Sequence, residues 1–439
     1  MILAIDLGST NFKAALFSEA LDRVGASSVP APYLHNDGDH VEMDANDIRQ
    51  AVVLLFKETC QTAGIRTRDV TTVTVTSQAQ NFTFLDGAGR ACFPVTSWLD
   101  HGAEAEAAAL WKTRHTDWHQ HCSFGTLTGQ MQLAHLLRAR TRYPDAFSGG
   151  FQMVSLPGLV FHVLAGINLT DDNLAAMGGA YSLRDREWRA DVLADCGVTP
   201  AHMPRLVPVG HSVRAATHCA QLDLADSLQL VSAGNDQTAG AFGNDCGEGD
   251  VLVTLGTALV AYRFAGTAPG PYSDDVCWGP YPDGGYYALA TSDKGCQALD
   301  WAREQLMPGQ DLAHFDAAVE TALPSISETT GTFSPALIRT PNAWQGSFAD
   351  DSEKAYAVLK GITNDLKRLV CQELNCPSGS ALRVIGGGSQ SNVWLQIIAD
   401  TFNAPVSAGT GDSLLGAAKM AVGSACLTPA RRDLTDQRL

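Results

Sequence analysis

The sequence predicts an α/β fold of two large domains. Apolar runs typical of strands alternate with segments of helical spacing, and glycine is plentiful, with 41 of 439 residues, as tight turns require. A chain of this length also exceeds the size at which a single core stops growing. Finally, ILAIDLGSTNFKAALF in the first half resembles VLVTLGTALVAYRF in the second. We therefore expect duplicated domains, 1–246 and 247–439, with a cleft between them.

The elements of the first half follow from residue composition. Residues 2–7 read as an apolar strand, and NFKAALF continues after a Gly-Ser-Thr turn as the second strand of a hairpin. β-branched residues predict a buried strand over 70–78, and apolar spacing predicts a helix over 45–63. Residues 81–93 read as two strands around an Asp-Gly turn.

The second half shows the same alternation. Residues 228–233 read as a short buried strand that leads through Gly-Asn-Asp into a helix. Residues 249–264 read as strand, Gly-Thr turn and strand. Residues 353–374 have the clearest amphipathic spacing, and 381–402 run from a strand through three glycines into a helix.

Composition excludes several classes of function. The formal charge is 30 − 47 = −17 and there is no basic run, so the chain would repel nucleic acid and anionic membranes. No apolar run approaches the roughly 18 residues that span a bilayer, and no basic leader precedes the first strand. The 11 cysteines are scattered without a CxxC pair, which is typical of reduced thiols in a cytoplasmic protein.

The first Gly-Ser-Thr turn could hold phosphate. Backbone amides at Gly8 and the hydroxyls of Ser9 and Thr10 can cradle phosphate oxygens without net positive charge, and Lys13 could add one cation. Asp6 would then point toward a phosphate-bound Mg²⁺, which favours one or two carboxylates. The alternative is an ordinary hairpin in which Asp6 is satisfied by its own turn amides. Both interpretations stay open on this fragment.

Two later turns have related features. Gly256 and Thr257 repeat the first turn without its acid, and could hold a phosphate chain from the other side. GGGSQSN at 386–392 lets a base or phosphate approach the backbone at a helix N-terminus. It lacks the GxGxxG dinucleotide fingerprint, and a packing turn explains it equally well.

Asp236 has two interpretations. Aspartate is among the commonest N-caps, and taken alone the residue types favour a cap at this helix start. The functional alternative is a general base that accepts the proton of a substrate hydroxyl. A helix N-terminus would keep that carboxylate ionised.

Histidines cluster in RHTDWHQHC. His115 and His119 have the i, i+4 spacing of metal ligands, with His121 and Cys122 close by. No further ligand stands at a zinc-like spacing, so we predict solvated polar residues and no metal site here.

Taken together, these segments resemble the FGGY family of carbohydrate kinases over nearly the whole chain. IDLGSTNFKAALF is similar to the opening phosphate loop, and SAGNDQTAGAFG to the segment with the catalytic aspartate. VTSQAQNFTFLDGAGRACFPVTSWLDHG resembles the sugar segment, VTLGTAL the second phosphate loop, and GGGSQSNVWLQIIADTFNAPV with LLGAAKMA the adenosine segment. The resemblance implies two ribonuclease-H-like domains of the actin and sugar-kinase fold around a cleft.

The resemblance also implies an activity, which is ATP-dependent phosphorylation of a small sugar or polyol, with a ketose such as a pentulose favoured. Asp236 would be the base and Asp6 would position Mg²⁺. The remaining implied roles fall into two groups. ATP would contact Gly8, Ser9, Thr10, Lys13, Gly256, Thr257, Gly387, Gly388 and Asn392, and the sugar would contact Gln78, Gln80, Trp98, Asp100 and Asn235.

The chain departs from the family pattern in the sugar segment. Xylulose kinases usually read Gly-Gln-Met-His-Gly, whereas this chain reads Ser-Gln-Ala-Gln-Asn at 77–81. The arginine expected after Trp98 and Asp100 is Gly102, and Lys360 stands where many members have an acid. These departures leave the sugar open, and the oligomeric state, a homodimer included, is open as well. They also motivate a second hypothesis, a non-catalytic nucleotide- or sugar-binding protein on the same fold. A third hypothesis, an actin- or chaperone-like ATPase, predicts ATP hydrolysis without sugar, and the sugar segment at 77–102 argues against it.

Overall fold

The protein is described by a computed structural model that covers residues 1–37, 39–116, 118–256, 258–268, 273–323 and 331–426. The chain forms two compact units. Unit 1 contains Met1–Cys122, Leu127–Gly243 and the chain from Asp412 on, and unit 2 contains Ser123–Thr126 and Asn244–Gly411. The sequence-based domains, 1–246 and 247–439, and the cleft between them stay predictions.

The strands of unit 1 are β1 (Ile2–Leu7), β2 (Asn11–Phe17), β3 (Arg23–Pro30), β4 (Tyr33–Asn36), β5 (Val41–Met43), β6 (Thr72–Ser77), β7 (Phe82–Asp86), β8 (Val95–Thr96), β9 (Phe151–Ser155), β10 (Leu169–Asp171), β11 (Tyr181–Ser182), β12 (Glu187–Trp188), β13 (Arg205–Val207), β14 (Ser212–Ala216) and β15 (Ser227–Asn235). Its helices are α1 (Ala45–Thr62), α2 (Glu104–Arg114), α3 (Trp118–His121), α4 (Gln132–Arg142), α5 (Leu156–Ala165), α6 (Asp172–Met177), α7 (Ala190–Asp195) and α8 (Asp236–Gly243), together with the helix Ser413–Cys426.

The main sheet of unit 1 is six-stranded, in the order β14-β15-β6-β1-β2-β3. Strands β1, β6 and β15 run parallel, and β1 and β2 form the predicted antiparallel hairpin. The register pairs Asp6 with Thr76, Leu7 with Ser77, and Ser77 with Asn235. The carboxyl ends of three parallel strands, and the residues that follow them, therefore meet at one edge of the sheet.

Both faces of this sheet are covered, which explains why every residue of β1 except Asp6 is apolar. Leu3 and Ile5 face a core that includes side chains of α1 and α5. Ile2 and Ala4 face the other core, which includes Ala239 of α8 and several residues of the helix Ser413–Cys426. Because side chains alternate along a strand, Asp6 belongs to the second face.

The helix Ser413–Cys426 packs closely on α8 through Gly416. A Cβ atom at Gly416 would overlap the backbone carbonyl of Ala239, and it would also crowd the amide of Gly243. We expect Gly416→Ala to lower the free energy of unfolding by about 1–3 kcal/mol, the usual cost of overpacking. Chemical denaturation would measure the loss.

Gly423→Ala is the matched control for this change. It lies on the same helix, where an added Cβ would meet nothing within 4 Å. An exposed helical glycine replaced by alanine should gain about 0.5–1 kcal/mol. Equal effects of the two substitutions would contradict the close approach of the helices.

The strands of unit 2 are β16 (Val251–Leu255), β17 (Leu259–Ala265), β18 (Cys277–Pro280), β19 (Tyr286–Ser292), β20 (Thr332–Phe333), β21 (Trp344–Gln345), β22 (Leu382–Ile385) and β23 (Val406–Ala408). Its helices are α9 (Cys296–Leu306), α10 (Leu312–Ala322), α11 (Asp351–Arg368) and α12 (Asn392–Phe402), and the helix of unit 1 that follows them is α13 (Ser413–Cys426). The main sheet has the order β18-β19-β17-β16-β22-β23.

The two main sheets share one plan, as the echo in the sequence predicts. In each, the first strand of a hairpin also pairs in parallel with a later strand, β6 for β1 and β22 for β16. A further parallel strand extends each sheet on that side, β15 in unit 1 and β23 in unit 2. The predicted α/β class is confirmed, and both main sheets are mixed.

Two local predictions need correction. The segment after the Asp86-Gly87 turn forms only an isolated bridge between Leu85 and Ala91, and β7 instead pairs with β8 and β9. Asp86 accepts hydrogen bonds from the amides of Ala88 and Arg90, which closes a local loop in place of a second strand. The helix predicted to end at 374 is α-helical only to Arg368 and continues as a π-helical turn, Leu369–Glu373.

Candidate active site

Asp6 lies at the carboxyl edge of the unit 1 sheet and is 8% exposed. Its Oδ2 accepts a 2.6 Å hydrogen bond from the hydroxyl of Ser413, at the start of α13. Its Oδ1 is buried and has no hydrogen-bond partner among the described residues. The alternative in which Asp6 is satisfied by its own turn amides is therefore wrong.

Burial raises the pKa of Asp6 above its ordinary value, and the charge of Asp412 adds to the rise. The Ser413 hydrogen bond and the charge of Lys13 act in the opposite direction. Lys13 can act there because it pairs with Asp6 across the β1–β2 ladder. A buried carboxylate with one free oxygen is a group that gains from a cation.

Asp236 is the first residue of α8, and the helix cap is the residue before it. The side chain of Asn235 accepts the amide of Thr238 at 2.9 Å, as an N-cap does. The alternative of Asp236 as the cap is thereby wrong. The Oδ1 of Asp236 accepts the amide of Gln237 at 2.9 Å, and the residue is half-buried.

Asp6 and Asp236 are electrostatically coupled. The pKa of Asp236 is raised to about 6, chiefly by burial and then by the negative charge of Asp6. Two carboxylates at one sheet edge, one with a free oxygen and one with a pKa near neutrality, match the requirements of a cation site beside a general base.

A buried polar network, which sequence reasoning missed, holds the start of α8. Asp171 accepts the hydroxyl of Ser232 at 2.5 Å and the amide of Gly234 at 3.0 Å. Asn173 accepts both the backbone and the side-chain amide of Asn235, at 3.0 and 2.8 Å. Gly234 has a φ of +70° and belongs to a bulge that ends β15, so these bonds fix the direction in which Asp236 leaves the sheet.

Asn235 is predicted to bind sugar, and its side chain is already engaged. It is 4% exposed, and its amide nitrogen donates to Asn173 and to the sulfur of Met177. Its oxygen caps α8. In this structure its contacts are those of a positioning residue for Asp236.

The tip of the first hairpin, Gly8, Ser9 and Thr10, comes directly after Asp6 and Leu7. Gly8 is half-buried, and a Cβ atom there would lie 3.0 Å from the carbonyl of Asn11. Thr10 is exposed, and neither Ser9 nor Thr10 has a side-chain hydrogen bond within the described ranges. The two hydroxyls are therefore available to a ligand.

Two of the predicted sugar residues, Gln78 and Gln80, lie in the loop after β6, and Trp98 follows β8. Trp98 donates its indole N–H to Gln78 at 2.8 Å and its backbone amide to Asn81 at 2.8 Å. Gln80 has a φ of +70°, which is strained for a residue other than glycine, and its oxygen accepts the amide of Gln132 at 3.2 Å. Strain of this kind persists where surrounding contacts fix the loop.

Asp100, also predicted to bind sugar, is fully buried. One oxygen accepts the amide of Val41 at 3.0 Å, and the other accepts the amide of Gly102 at 2.8 Å and the guanidinium of Arg138 at 3.1 Å. A Cβ atom at Gly102 would overlap that guanidinium, so Arg138 fills the space beside the missing arginine position. The contacts of Asp100 hold the loop and leave no surface for a ligand in this structure.

The glycine turn of unit 2 combines packing with one open position. A Cβ atom at Gly386 would lie 2.5 Å from the carbonyl of Leu255, and one at Gly388 would lie 2.7 Å from the ring of Trp394. Gly387 is exposed, with nothing within 4 Å of an added Cβ. Packing therefore explains two of the glycines and leaves Gly387 free for close approach.

The other predicted ATP contacts of unit 2 lie near this turn in sequence or in the sheet. Asn392 is the first residue of α12, which is capped by the hydroxyl of Ser391. Gly256 directly follows β16, and its carbonyl accepts the amide of Cys296 at 2.7 Å. Thr257 lies outside the described residues.

The histidine cluster has ordinary partners, but the prediction of solvated side chains is wrong for His121 and Cys122, which are buried. His115 contacts the carbonyl of Trp111, and His121 lies 2.8 Å from the hydroxyl of Ser182. Within the described ranges, the group of side chains close enough to share a metal is elsewhere, at His35, His40 and Glu42. A cation already lies beside that group, because the guanidinium of Arg142 is 3.1 Å from Glu42 and 2.7 Å from the Nε2 of His40.

Two models of one family match the sequence. The N-terminal domain of the FGGY family of carbohydrate kinases matches residues 1–243, and the C-terminal domain matches residues 251–425. The chain belongs to the FGGY family of carbohydrate kinases. It is therefore a carbohydrate kinase, an ATP-dependent enzyme that phosphorylates a sugar or polyol.

Curated members of the FGGY family are similar to the chain over almost its whole length. The xylulose kinase of Staphylococcus xylosus is 21% identical, with 93% of this chain and 87% of that protein aligned. The glycerol kinase of Solidesulfovibrio magneticus is 24% identical, with 96% and 89% aligned. The gluconokinase of Bacillus subtilis is 22% identical, with 92% and 83% aligned. Relatives at this distance act on different acceptors, so they leave the acceptor of this kinase open.

Solved structures of FGGY kinases show the same fold. The xylulose kinase of Rhodospirillum rubrum superposes with a TM-score of 0.85 at 20% identity, covering 97% of this chain and 91% of that one.

No helix in the described parts of this kinase combines the length and the apolar character needed to cross a bilayer.

Proposed function

We propose that this kinase transfers the γ-phosphoryl group of ATP in line to a hydroxyl of a small ketose, with a pentulose favoured, and that Asp236 is the general base. The observation that supports this proposal best is the coupled pair of carboxylates, Asp6 and Asp236, at one edge of the unit 1 sheet. A general base should have a pKa near the working pH, and burial brings that of Asp236 to about 6.

Asp6 suits a magnesium ion. Mg²⁺ is bound through one or two carboxylates together with phosphate oxygens and water, and it would neutralise charge on the transferring phosphoryl group. The buried Oδ1 of Asp6 lacks a partner among the described residues, while Ser413 holds Oδ2. The residues therefore fit this ion, with Asp6 as a direct ligand or as a partner of its water.

The phosphates of ATP would bind to Gly8, Ser9, Thr10 and Lys13 of unit 1. Two free hydroxyls and an exposed lysine lie there in an otherwise acidic chain, which suits an anionic ligand. The corresponding contacts of unit 2 would be Gly256, Thr257, Gly387, Gly388 and Asn392. Gly387 is the position of this turn where the nucleotide can approach the backbone most closely, since an added Cβ atom would meet nothing within 4 Å.

Positioning would account for most of the catalysis. The bonds from Asn173 and Asp171 fix the start of α8, and so hold the carboxylate of Asp236 in place for the acceptor hydroxyl. The amides at that helix start favour the ionised form of Asp236, which opposes the effect of burial. Gln78, Gln80 and Trp98 would contact the sugar, and Asp100 and Asn235 would act through the residues they hold.

A coupled assay of ADP release over pentuloses, hexuloses, tetruloses and polyols tests the proposal. We expect one acceptor class to stimulate turnover well above the rate of ATP hydrolysis in water alone. Binding of a sugar by calorimetry without any turnover would favour the alternative, a non-catalytic binding protein. That alternative is motivated by the altered sugar segment at 77–81.

Ser413 provides a prediction for the metal site. In Ser413→Ala the Oδ2 of Asp6 loses its hydrogen bond, so the pKa of Asp6 rises further and the carboxylate is less fixed in orientation. Loss of an outer-shell partner typically costs about 10-fold or more in metal affinity. We expect the Mg²⁺ concentration for half-maximal activity to rise about 10-fold, with a smaller change in kcat at saturating Mg²⁺.

Ser413→Thr is the control, because it keeps the hydroxyl at the same position. Its half-saturating Mg²⁺ concentration should stay close to that of the wild type. An alanine variant with an unchanged Mg²⁺ dependence would contradict a role for Ser413 in orienting Asp6.

A further inference from the structure

A narrow cavity of unit 1 lies beside the predicted sugar loop. We call it the amide pocket, because four side-chain amides line it, those of Gln78, Gln80, Asn81 and Gln132. The space available to the centre of a water molecule is about 20 Å³, enough for one water or one small substituent. None of the described residues that line the pocket is charged.

Trp98 sets the orientation of two of these amides. Its backbone N–H and its indole N–H are donors only, so the groups that face them must be the oxygens of Asn81 and Gln78. The amide nitrogens of both residues then point away from Trp98. Both nitrogens are buried, and neither has a hydrogen-bond partner within the described ranges.

Of the two donors, that of Asn81 is the clearer. The side chains of Gln78 and Ser97 lie close enough to the hydroxyl of Tyr33 to oppose the rise that burial causes in its pKa, so Tyr33 is a neighbour that could pair with the amide of Gln78. Among the described residues no hydrogen-bond partner faces the Nδ2 of Asn81, and the residue as a whole is 2% exposed. Buried donors are nearly always paired, so an oxygen from outside the protein is expected at this position.

The position of the pocket connects it to the acceptor. Ser77 lines the pocket, and in the sheet it pairs with Leu7, next to Asp6, and with Asn235, next to Asp236. The amide pocket thus begins at the same sheet edge as the two carboxylates.

We propose that the amide pocket receives one uncharged oxygen substituent of the acceptor, a hydroxyl other than the one phosphorylated, and that Asn81 donates a hydrogen bond to it through Nδ2. This inference rests on the proposed function. It makes Asn81 a determinant of specificity for the acceptor, at a position where xylulose kinases usually have glycine. A carboxylate would enter the amide pocket without a cation to pair with, so the acceptor class is a neutral ketose or polyol and not a sugar acid.

Asn81→Asp is the decisive variant, because it keeps an oxygen that can accept from Trp98 and replaces the amide donor by a second carboxylate oxygen, which also adds a negative charge. The test compares a ketose substrate with its deoxy analogue that lacks the terminal hydroxyl not phosphorylated. We expect kcat/KM for the ketose to fall about 10- to 100-fold in the variant, and kcat/KM for the deoxy analogue to change by less than about 3-fold. Asn46→Asp, an exposed change on α1, controls for the added charge.

Equal losses on both substrates would overturn the inference, since they would mean that the amide pocket holds only a buried water or that Asn81 acts through the fold. A wild-type preference for an aldonate over a ketose of equal length would overturn it as well. Calorimetry with the same pair of ligands separates it from the proposed function. If wild-type enzyme binds the ketose without turnover, the proposed function fails, while the difference between ketose and deoxy analogue in Asn81→Asp still decides the role of the pocket.

Discussion

Asp236→Asn should lower kcat by about 10²- to 10⁴-fold, the usual contribution of a general base, with little change in nucleotide affinity. The amide keeps the size of the side chain but cannot accept the proton of the acceptor hydroxyl. Steady-state kinetics with the best acceptor would give kcat, and calorimetry with ATP would give the affinity.

Thermal unfolding is the control for this variant. The change removes a half-buried charge that is raised in energy by Asp6, so the melting temperature should stay the same or rise. A loss of activity together with a lower melting temperature would indicate damage to the fold. Turnover near that of the wild type would exclude Asp236 as the base.

The wild-type pH profile follows from the same group. Asp236 must be ionised to accept a proton, and its pKa is raised to about 6. The value of kcat/KM should therefore be constant above this pH and fall about tenfold per unit below it. Since the carboxylate of Asp6 contributes to the raised pKa, a cation bound beside Asp6 should move the acid limb to lower pH.

Asp6→Asn is expected to have the second-largest effect, a fall of about 10²- to 10³-fold in kcat at fixed Mg²⁺, comparable to the loss of one electrostatic stabiliser of the transition state. The neutral amide is a poorer ligand for a hard cation than a carboxylate. The half-saturating Mg²⁺ concentration should rise by more than it does in Ser413→Ala, which keeps the charge.

A second measurement distinguishes this explanation from general damage. Loss of the negative charge of Asp6 lowers the pKa of Asp236, so the acid limb of the kcat/KM profile should shift to lower pH in Asp6→Asn. An unchanged limb together with an unchanged Mg²⁺ dependence would contradict both the coupling and the metal role of Asp6.

The local part of the fold could be predicted from the sequence, because hairpins and amphipathic helices are set by neighbours in the chain. The β1–β2 hairpin, α1 and the strand-turn-helix from β22 to α12 follow directly from residue spacing. The segment after Asp86 could not be predicted in this way. Its path depends on whether the amides of Ala88 and Arg90 donate hydrogen bonds to the Asp86 side chain or to a partner strand.

The candidate site was predictable only in part, for the same reason. Asp6 and Asp236 stood out because each lies beside a glycine turn, but their roles were implied only by the resemblance to FGGY kinases, since each turn taken alone also fitted a structural role. Which of Asn235 and Asp236 caps α8 was not, since both residue types cap helices. Asn173 and Ser413 contact the site from 62 and 407 residues away, and no sequence spacing indicates such distances.

The distance in sequence between β1 and α13 has a consequence for synthesis of the chain. Ile2 and Ala4 face a core that α13 completes, yet the ribosome makes α13 only after all of unit 2. The part of this apolar sheet face that α13 covers therefore stays exposed during translation, and such a state is prone to aggregation and chaperone binding. A circular permutant that places α13 directly before β1 should escape this delay and refold with less aggregation.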